Sequence, residues 1–407
     1  MGVGWKEDVV AQKAFRKQLM DLAAQGGANR RELCRQFQVS EKTFYKWQAR
    51  YRTAGEAGLE NQSRRPHRSP SKADGDVEAA VLGVRQEYPD WGARKIQTVL
   101  ERTAQEPVPA RSTIHNILQR HGCIDAEESL KHRPYQRFEH PNPNDLWQMD
   151  FKGWFAMTNG QPCQPLTVLD DHSRYALCLR ACANQRTDTV TNQLTAVFRE
   201  YGLPLRMTMD NGSPWGSDSL HRYTPLTAWL MRLGIAVGHS RPYHPQTQGK
   251  IERFHRTLKR ELLKRKSLQD VDHAQQQFDI WRKIYNQHRP HEALTMAVPS
   301  SRYCYSNRQF PEKLPSVRSY YRTTDAIRAV QFKGNISYRG HRVLISKGFR
   351  GLSVALRQTD DENVVEVYFC QYRVGIIHLQ NIGNGLCKMT PLVKSEKQDF
   401  TSVLEKR

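Results

Sequence analysis

"PLTVLDDHSRYALCLRAC", residues 165–182, decides the fold. Apolar residues run up to Leu169, polar turn residues fill Asp171 to Ser173, and a second apolar run follows: two strands joined by a turn. The stretch "LWQMDFKGWFAM" (146–157) before it and "LRMTMD" (205–210) after it also read as strands. Helical periodicity marks "TDTVTNQLTAVFREYG" (187–202), "SLHRYTPLTAWLMRLG" (219–234) and "GKIERFHRTLKRELLKRK" (249–266). Three early strands followed by helix, strand and helix predict a mixed α/β sheet flanked by helices over 141–268.

The segments in front have a different character. "NRRELCRQFQVSEKTFYKWQARY" (29–51) carries a helix, a short turn and a second helix opened by the N-cap Ser40, with Leu33, Phe37, Val39, Phe44 and Trp47 as its small core. This is helix-turn-helix spacing, which aims Glu41, Lys42, Thr43, Tyr45 and Lys46 at a DNA major groove; a plain helical hairpin is the alternative. "GEAGLENQSRRPHRSPSKADG" (55–75) reads as a cationic linker, in which Arg64 and Arg65 either track phosphates or only aid solubility. A second helical unit follows over 75–122, with a turn-to-helix start near Ser112. It would present Arg111, Ser112, Thr113, His115 and Asn116 to DNA and turn Ile114, Ile117 and Leu118 inward.

Behind the α/β region, 269–325 reads as a helical and extended connector, 326–385 as a strand-rich small β-barrel, and 386–407 as a tail without periodicity. The full expected order is therefore 1–54, a linker over 55–74, 75–122, a linker over 123–140, 141–268, 269–325, 326–385 and 386–407: a multidomain chain with all-α tandem helix-turn-helix units in front.

Charge narrows the partners. The chain has 407 residues, a formal net charge of +21 and a pI near 9.7, so a polyanion is the expected partner. No run of 18 apolar residues occurs and the mean hydropathy is −0.73, so no membrane association is expected. Eight scattered cysteines without a CxxC pair, and a start lacking an apolar leader, fit a reducing cytoplasm.

Three carboxylates stand out by context. Asp150 lies in a strand pattern, Asp210 ends another before the turn "NGSPWG", and Glu252 opens a basic helix. Such positions converge on one edge of an open sheet. Convergent carboxylates repel, and two Mg²⁺ or Mn²⁺ ions about 3.5 to 4 Å apart would relieve that while stabilising an in-line phosphoryl displacement. Asp145, Asp170, Asp171, Asp218 and Glu261 compete for these roles, and Ser173 beside Asp170 and His172 hints at a hydrolase triad but lacks the G-x-S-x-G elbow. Trp147 and Trp215 read as packing groups.

"LWQMD", "VLDDHSRY", "MDNGSPWG" and "RPYHPQTQGKIERFHRTLKRELL" resemble the core of the DDE insertion-sequence transposases, whose catalytic domain is similar to that of retroviral integrases and has a ribonuclease H-like fold. The resemblance is strong over about 140–300 and weaker on both flanks. It implies Asp150, Asp210 and Glu252 as catalytic metal ligands, with Asn211 and Gly212 completing the "DNG" turn. It also implies that the loop with Tyr243, Pro245, Gln246 and Gln248 and the basic pair Arg256 and Lys259 hold the DNA end. The interval from Asp210 to Glu252 is longer than integrases commonly have, and the extra residues fall around "SDSLHRYTPLTAWLM" (217–231), where a surface insertion is cheap.

The function implied is binding of an element's terminal inverted repeats, metal-dependent cleavage at its 3′ ends and strand transfer into target DNA. A homodimer or higher assembly on double-stranded DNA would carry it out, with no small-molecule substrate. An inactive or domesticated DNA-binding regulator and a purely hydrolytic ribonuclease H-like nuclease are the alternatives.

Overall fold

The structure, a computed structural model, describes residues 4–25, 27–61, 73–103, 106–124, 139–216, 223–239, 249–381 and 387–391. Arg64, Arg65, Asp218, Tyr243, Pro245, Gln246 and Gln248, and the tail beyond 391, lie outside the described residues. Residues 1–72 and 73–407 form two compact units.

The first unit includes three α-helices among its described residues, α1 (Gly4–Ala23), α2 (Arg30–Gln36) and α3 (Glu41–Ala54), followed by the short 3-10 turn Gly55–Leu59. Asn29 caps α2 by accepting from the Arg31 and Glu32 amides, and Ser40 caps α3 by accepting from Thr43 N, so each start satisfies backbone donors that would otherwise be orphaned. Phe44 is fully buried, with Leu33, Phe37, Val39 and Trp47 packed around it as the pattern predicts. Leu19, Met20, Cys34 and Leu59 complete that core.

In the second unit, α4 (Gly75–Glu87), α5 (Ala93–Arg102) and α6 (Arg111–Arg120) enclose Val81, Trp91, Ile96 and Leu100 together with the expected Ile114, Ile117 and Leu118. Tyr88 stacks on Trp91 with ring centroids 3.9 Å apart.

The central sheet contains β1 (Trp147–Phe151), β2 (Phe155–Ala156), β3 (Pro162–Asp170), β4 (Ala176–Cys182), β5 (Arg206–Met209) and β6 (Ala236–His239). β1 and β2 pair in succession along one side of β3 and β4 along the other, all antiparallel; β1 then pairs with β5, and β5 with β6, in parallel. The three antiparallel strands and the turn at Asp171–Ser173 match the sequence reading. β6 escaped it, being four residues with a central Gly238 and no alternation.

Helices cover both faces. α7 (Thr187–Tyr201) lays Val190, Leu194, Val197 and Phe198 on Trp147, Met149 and Met207. On the other face α9 (Gly249–Leu258) and α10 (Val271–Gln287) bring Phe254, Leu258, Phe278 and Trp281 against Leu169 and Leu179. Burial on both faces explains why β3 is almost continuously apolar. Strand alternation sends Trp147 and Met149 to the α7 face and Gln148 and Asp150 to the α9 face.

α8 (Pro225–Arg232) corrects the idea of a cheap surface insertion. Thr224 and Thr227 close a capping box at its start, Leu226 and Leu230 pack into the central core, and Ala228 and Met231 join the core of the C-terminal region. A helix buried on two sides joins those cores and is no tolerated excursion.

The expected small β-barrel is also corrected. Among the described residues, β7 (Ala326–Ala329), β10 (Ser353–Gln358), β11 (Val364–Phe369), β12 (Tyr372–His378) and β14 (Thr390–Pro391) make one open sheet, and β8 (Asn335–Tyr338), β9 (His341–Leu344) and β13 (Cys387–Lys388) another. The single-turn helix Lys347–Phe349 lies between β9 and β10, which belong to different sheets, and no closed ladder forms among the described residues. Ile336, Val343, Phe349, Val354, Val367 and Phe369 form the core they share.

Candidate active site

Asp150 is the fourth residue of β1, and Asp210 follows the last residue of the adjacent parallel strand β5, so the two strand ends deliver both carboxylates side by side. Glu252 sits exposed in the first turn of α9, on the face of the sheet to which Asp150 points. Burial pushes the Asp150 carboxyl up to about 7; the carboxylates of Asp210 and, more weakly, Glu252 add to the rise, against the Phe151 amide and Lys152. Asp210 is also raised by burial, against the Gly212 amide donating to its Oδ1 at 3.0 Å and the nearby His239. The acids are thus electrostatic neighbours. Their arrangement is open: among the described residues no three His, Cys, Asp or Glu side chains are gathered tightly enough to enclose a metal ion.

A second layer fixes these acids. Thr167 lies opposite Asp150 in the β1–β3 ladder and donates its hydroxyl proton to the Asp150 carbonyl at 2.7 Å. That hydroxyl has one proton, so the buried His255 Nε2, 2.7 Å away, must be the donor to Thr167. His255 Nδ1 is then bare and lies 3.8 Å from Asp150 Oδ2. Burial, and secondarily Lys152, hold the ring at about 3, so this contact is not an ion pair at neutral pH. His239 Nδ1 donates to the Asp210 carbonyl at 2.8 Å.

The start of α9 is anchored separately. Gln148, buried and two residues before Asp150, accepts from Ile251 N at 3.2 Å and donates to Asp171 Oδ1 at 2.8 Å. The ammonium of Lys250 meets Asp171 Oδ2 at 2.5 Å. Lys250 therefore serves Asp171, leaving Glu252 unpaired with it. Sequence reasoning gave no role to Gln148, Thr167, Lys250 or His255, although the two-residue strand period could have placed Gln148 on the same face as Asp150.

The competing acids have other duties. Asp170 is fully buried and accepts from Asn144 N, Ser173 N and Ser173 Oγ, which makes it the tie of the β3–β4 turn and consumes Ser173. Glu261 binds Arg289 and Trp281 Nε1, and Asp145 accepts from Asn142. Trp147 and Trp215 are buried, Trp215 stacking on Phe151 at 5.4 Å, as packing groups.

Of the residues expected on DNA, Lys42, Tyr45 and Lys46 are exposed on α3, whereas Thr43 is half-buried with its hydroxyl 2.8 Å from Ser40 Oγ. Arg111, Ser112, His115 and Asn116 are exposed on α6 and Thr113 is half-buried. Arg256 and Lys259 are exposed beyond Glu252, Lys259 opening the π-helical turn Lys259–Leu263 that extends α9.

Family profiles match several stretches of the chain. Integrase core domain families match residues 140–245 and 233–299, a helix-turn-helix domain matches 15–67, a homeodomain-like domain matches 43–118, and the C-terminal domain of the IS481 family transposases matches 325–384. The chain thus carries helix-turn-helix and integrase core domains and is similar to insertion-sequence transposases. The chain is similar to an uncharacterised 31.7 kDa protein of insertion element IS407 from Burkholderia multivorans, 28% identical over 39% of this chain, and to an uncharacterised 39.2 kDa protein of insertion element IS476 from Xanthomonas euvesicatoria, 26% identical over 60%. The matches span 54% and 69% of those relatives, so the chain covers about half the length of the first. The HTLV-2 integrase catalytic core domain in complex with magnesium is a looser likeness, with 16% identity, a TM-score of 0.30, and coverage of 40% of this chain and 97% of that one.

Proposed function

We propose that this chain cleaves the 3′ ends of a mobile element and joins them to target DNA, with Asp150, Asp210 and Glu252 as its catalytic carboxylates. The observation that carries the reading is the raised Asp150 carboxyl, whose causes include both other acids. An all-oxygen donor set that favours a proton when empty suits a hard divalent cation, which would replace that proton. Asp150, Asp210 and Glu252 would hold two Mg²⁺ or Mn²⁺ ions. When bound, such ions supply charge stabilisation for the attacking and leaving oxygens of an in-line displacement.

The chain's own residues do the positioning. Thr167 and His255 hold the Asp150 backbone, Gln148 and the Lys250–Asp171 pair hold the start of α9, and the positive end of that helix favours a carboxylate at Glu252. Arg256 and Lys259 would bind phosphates of the DNA end, with the loop that carries Tyr243 and Gln248 beside it. The exposed faces of α3 and α6 would read the terminal repeats, and Arg64 and Arg65 would track the backbone between them. Joining two ends calls for a homodimer or larger assembly on double-stranded DNA. No described helix is long and apolar enough to cross a membrane.

The test is the fate of a labelled 3′ end in Mg²⁺ with a second duplex present. Recovery of label in a longer, joined product supports transposition; release of short fragments alone would replace this reading with a nuclease.

A further inference from the structure

β1 leaves the acids through the turn Lys152 to Trp154, and across from this turn runs the stretch from Lys259 to Leu268 that continues α9. Between them lies an open groove of about 440 Å³, within the usual range of ligand clefts. Lys152, Lys259, Lys264 and Lys266 line it, and no carboxylate is among its described lining residues. Lys266 also donates to Gln277 Oε1. Trp154, 71% exposed, forms part of the wall.

Two features suggest a ligand. The ammonium groups of Lys152, Lys259, Lys264 and Lys266 share one groove with no carboxylate among its described lining residues, so an anion between them would relieve their repulsion. An indole left largely in water offers a flat apolar face beside those charges. Cations along a groove with an aromatic face between them are the arrangement that binds single-stranded nucleic acid. Within a duplex a base is covered on both sides, so the indole can stack on an unpaired base or on the outer face of a terminal pair, and a preference for an unpaired tail separates the two.

The geometry points to a subsite for unpaired nucleic acid, in which a base stacks on Trp154 while adjoining phosphates rest on Lys152, Lys259 and Lys264. It deepens the reading above, since the acids would act on a phosphodiester at the mouth of the groove, two residues from Lys152. The strand next to the cleaved bond would thus be held open during reaction.

Binding without metal separates this subsite from catalysis. The full chain, in chelator, is offered one duplex either blunt or carrying three unpaired nucleotides at one end. The tailed duplex binds about tenfold tighter, Trp154→Phe keeps most of that preference, Trp154→Ala abolishes it, and Phe332→Ala, which removes an equally exposed aromatic elsewhere, leaves it intact. Lys264→Glu, at another exposed position, also reduces it. No preference in the unaltered chain, or a preference that survives both Trp154→Ala and Lys264→Glu, overturns the subsite. Cleavage by Asp210→Asn, with the tail preference still dependent on Trp154, would overturn the catalytic reading and keep the subsite.

Discussion

Thr167 donates its hydroxyl proton to the carbonyl of Asp150 at 2.7 Å, and that one bond sets the tautomer of the histidine behind it. His255 is neutral and its bare Nδ1 faces the Asp150 carboxyl at 3.8 Å, so it steadies the Asp150 backbone through Thr167 and does not neutralise the acid. The charge that balances Asp150 must then come from elsewhere, in keeping with a cation.

His255→Ala should remove a buried hydrogen bond and leave a void, costing about 1–3 kcal/mol of stability. As a positioning residue it should lower the rate of strand joining about tenfold with DNA affinity unchanged, and His255→Gln should recover part of the rate. Its pH signature follows from the depressed folded-state value. The stability it contributes is complete above the ordinary histidine value of 6.5 and is lost as pH falls towards 3. Melting curves across that window should show a steeper acid loss for the unaltered chain than for His255→Gln.

Asp150 has the opposite sign. Its folded-state value lies above the ordinary 3.8, so ionising it costs nothing at lower pH, costs more as pH rises towards 7, and costs its full amount above that. Without divalent ions, Asp150→Asn should be more stable than the unaltered chain at pH 8, by on the order of 1–2 kcal/mol, and equal to it near pH 4. Adding Mg²⁺ should raise the melting midpoint of the unaltered chain and leave that of Asp150→Asn nearly unchanged.

Lys250→Ala should destabilise the fold by about 3 kcal/mol or more, because it strands the buried Asp171 carboxylate. Adding Asp171→Asn should recover a good part of the loss. Equal melting midpoints for Lys250→Ala and the unaltered chain would show that the pair does not hold α9.

On the proposal that α3 and α6 read DNA, their exposed cations should appear in the salt dependence of binding. Lys42→Ala, Lys46→Ala and Arg111→Ala should each lower the slope of log affinity against log salt for repeat DNA by about 0.9. Thr43→Ala should act on stability more than on DNA, since its hydroxyl meets Ser40 within the cap of α3.

Much of this layout was legible because local pattern and burial agree. The turn at Asp171–Ser173, the α3 cap at Ser40 and the inward Ile114, Ile117 and Leu118 each follow from period and capping alone. What was hidden depends on contacts far apart in the chain. Thr167 meets His255 across 88 residues and Gln148 meets Ile251 across 103, spacings that no local pattern encodes. The helical period of α8 was legible, but its burial was not, because both cores that bury it are distant in sequence. Barrel closure was inferred from strand content, which does not say which edges pair.

The central claim is that Asp150, Asp210 and Glu252 act together on a phosphodiester. Its most direct measurement is Mg²⁺-dependent joining of a labelled 3′ end by Asp150→Asn, Asp210→Asn and Glu252→Gln, each first shown to bind the same duplex as the unaltered chain does. The account predicts that joining falls at least a hundredfold in all three. Joining that persists near its original rate in any one of them would contradict it.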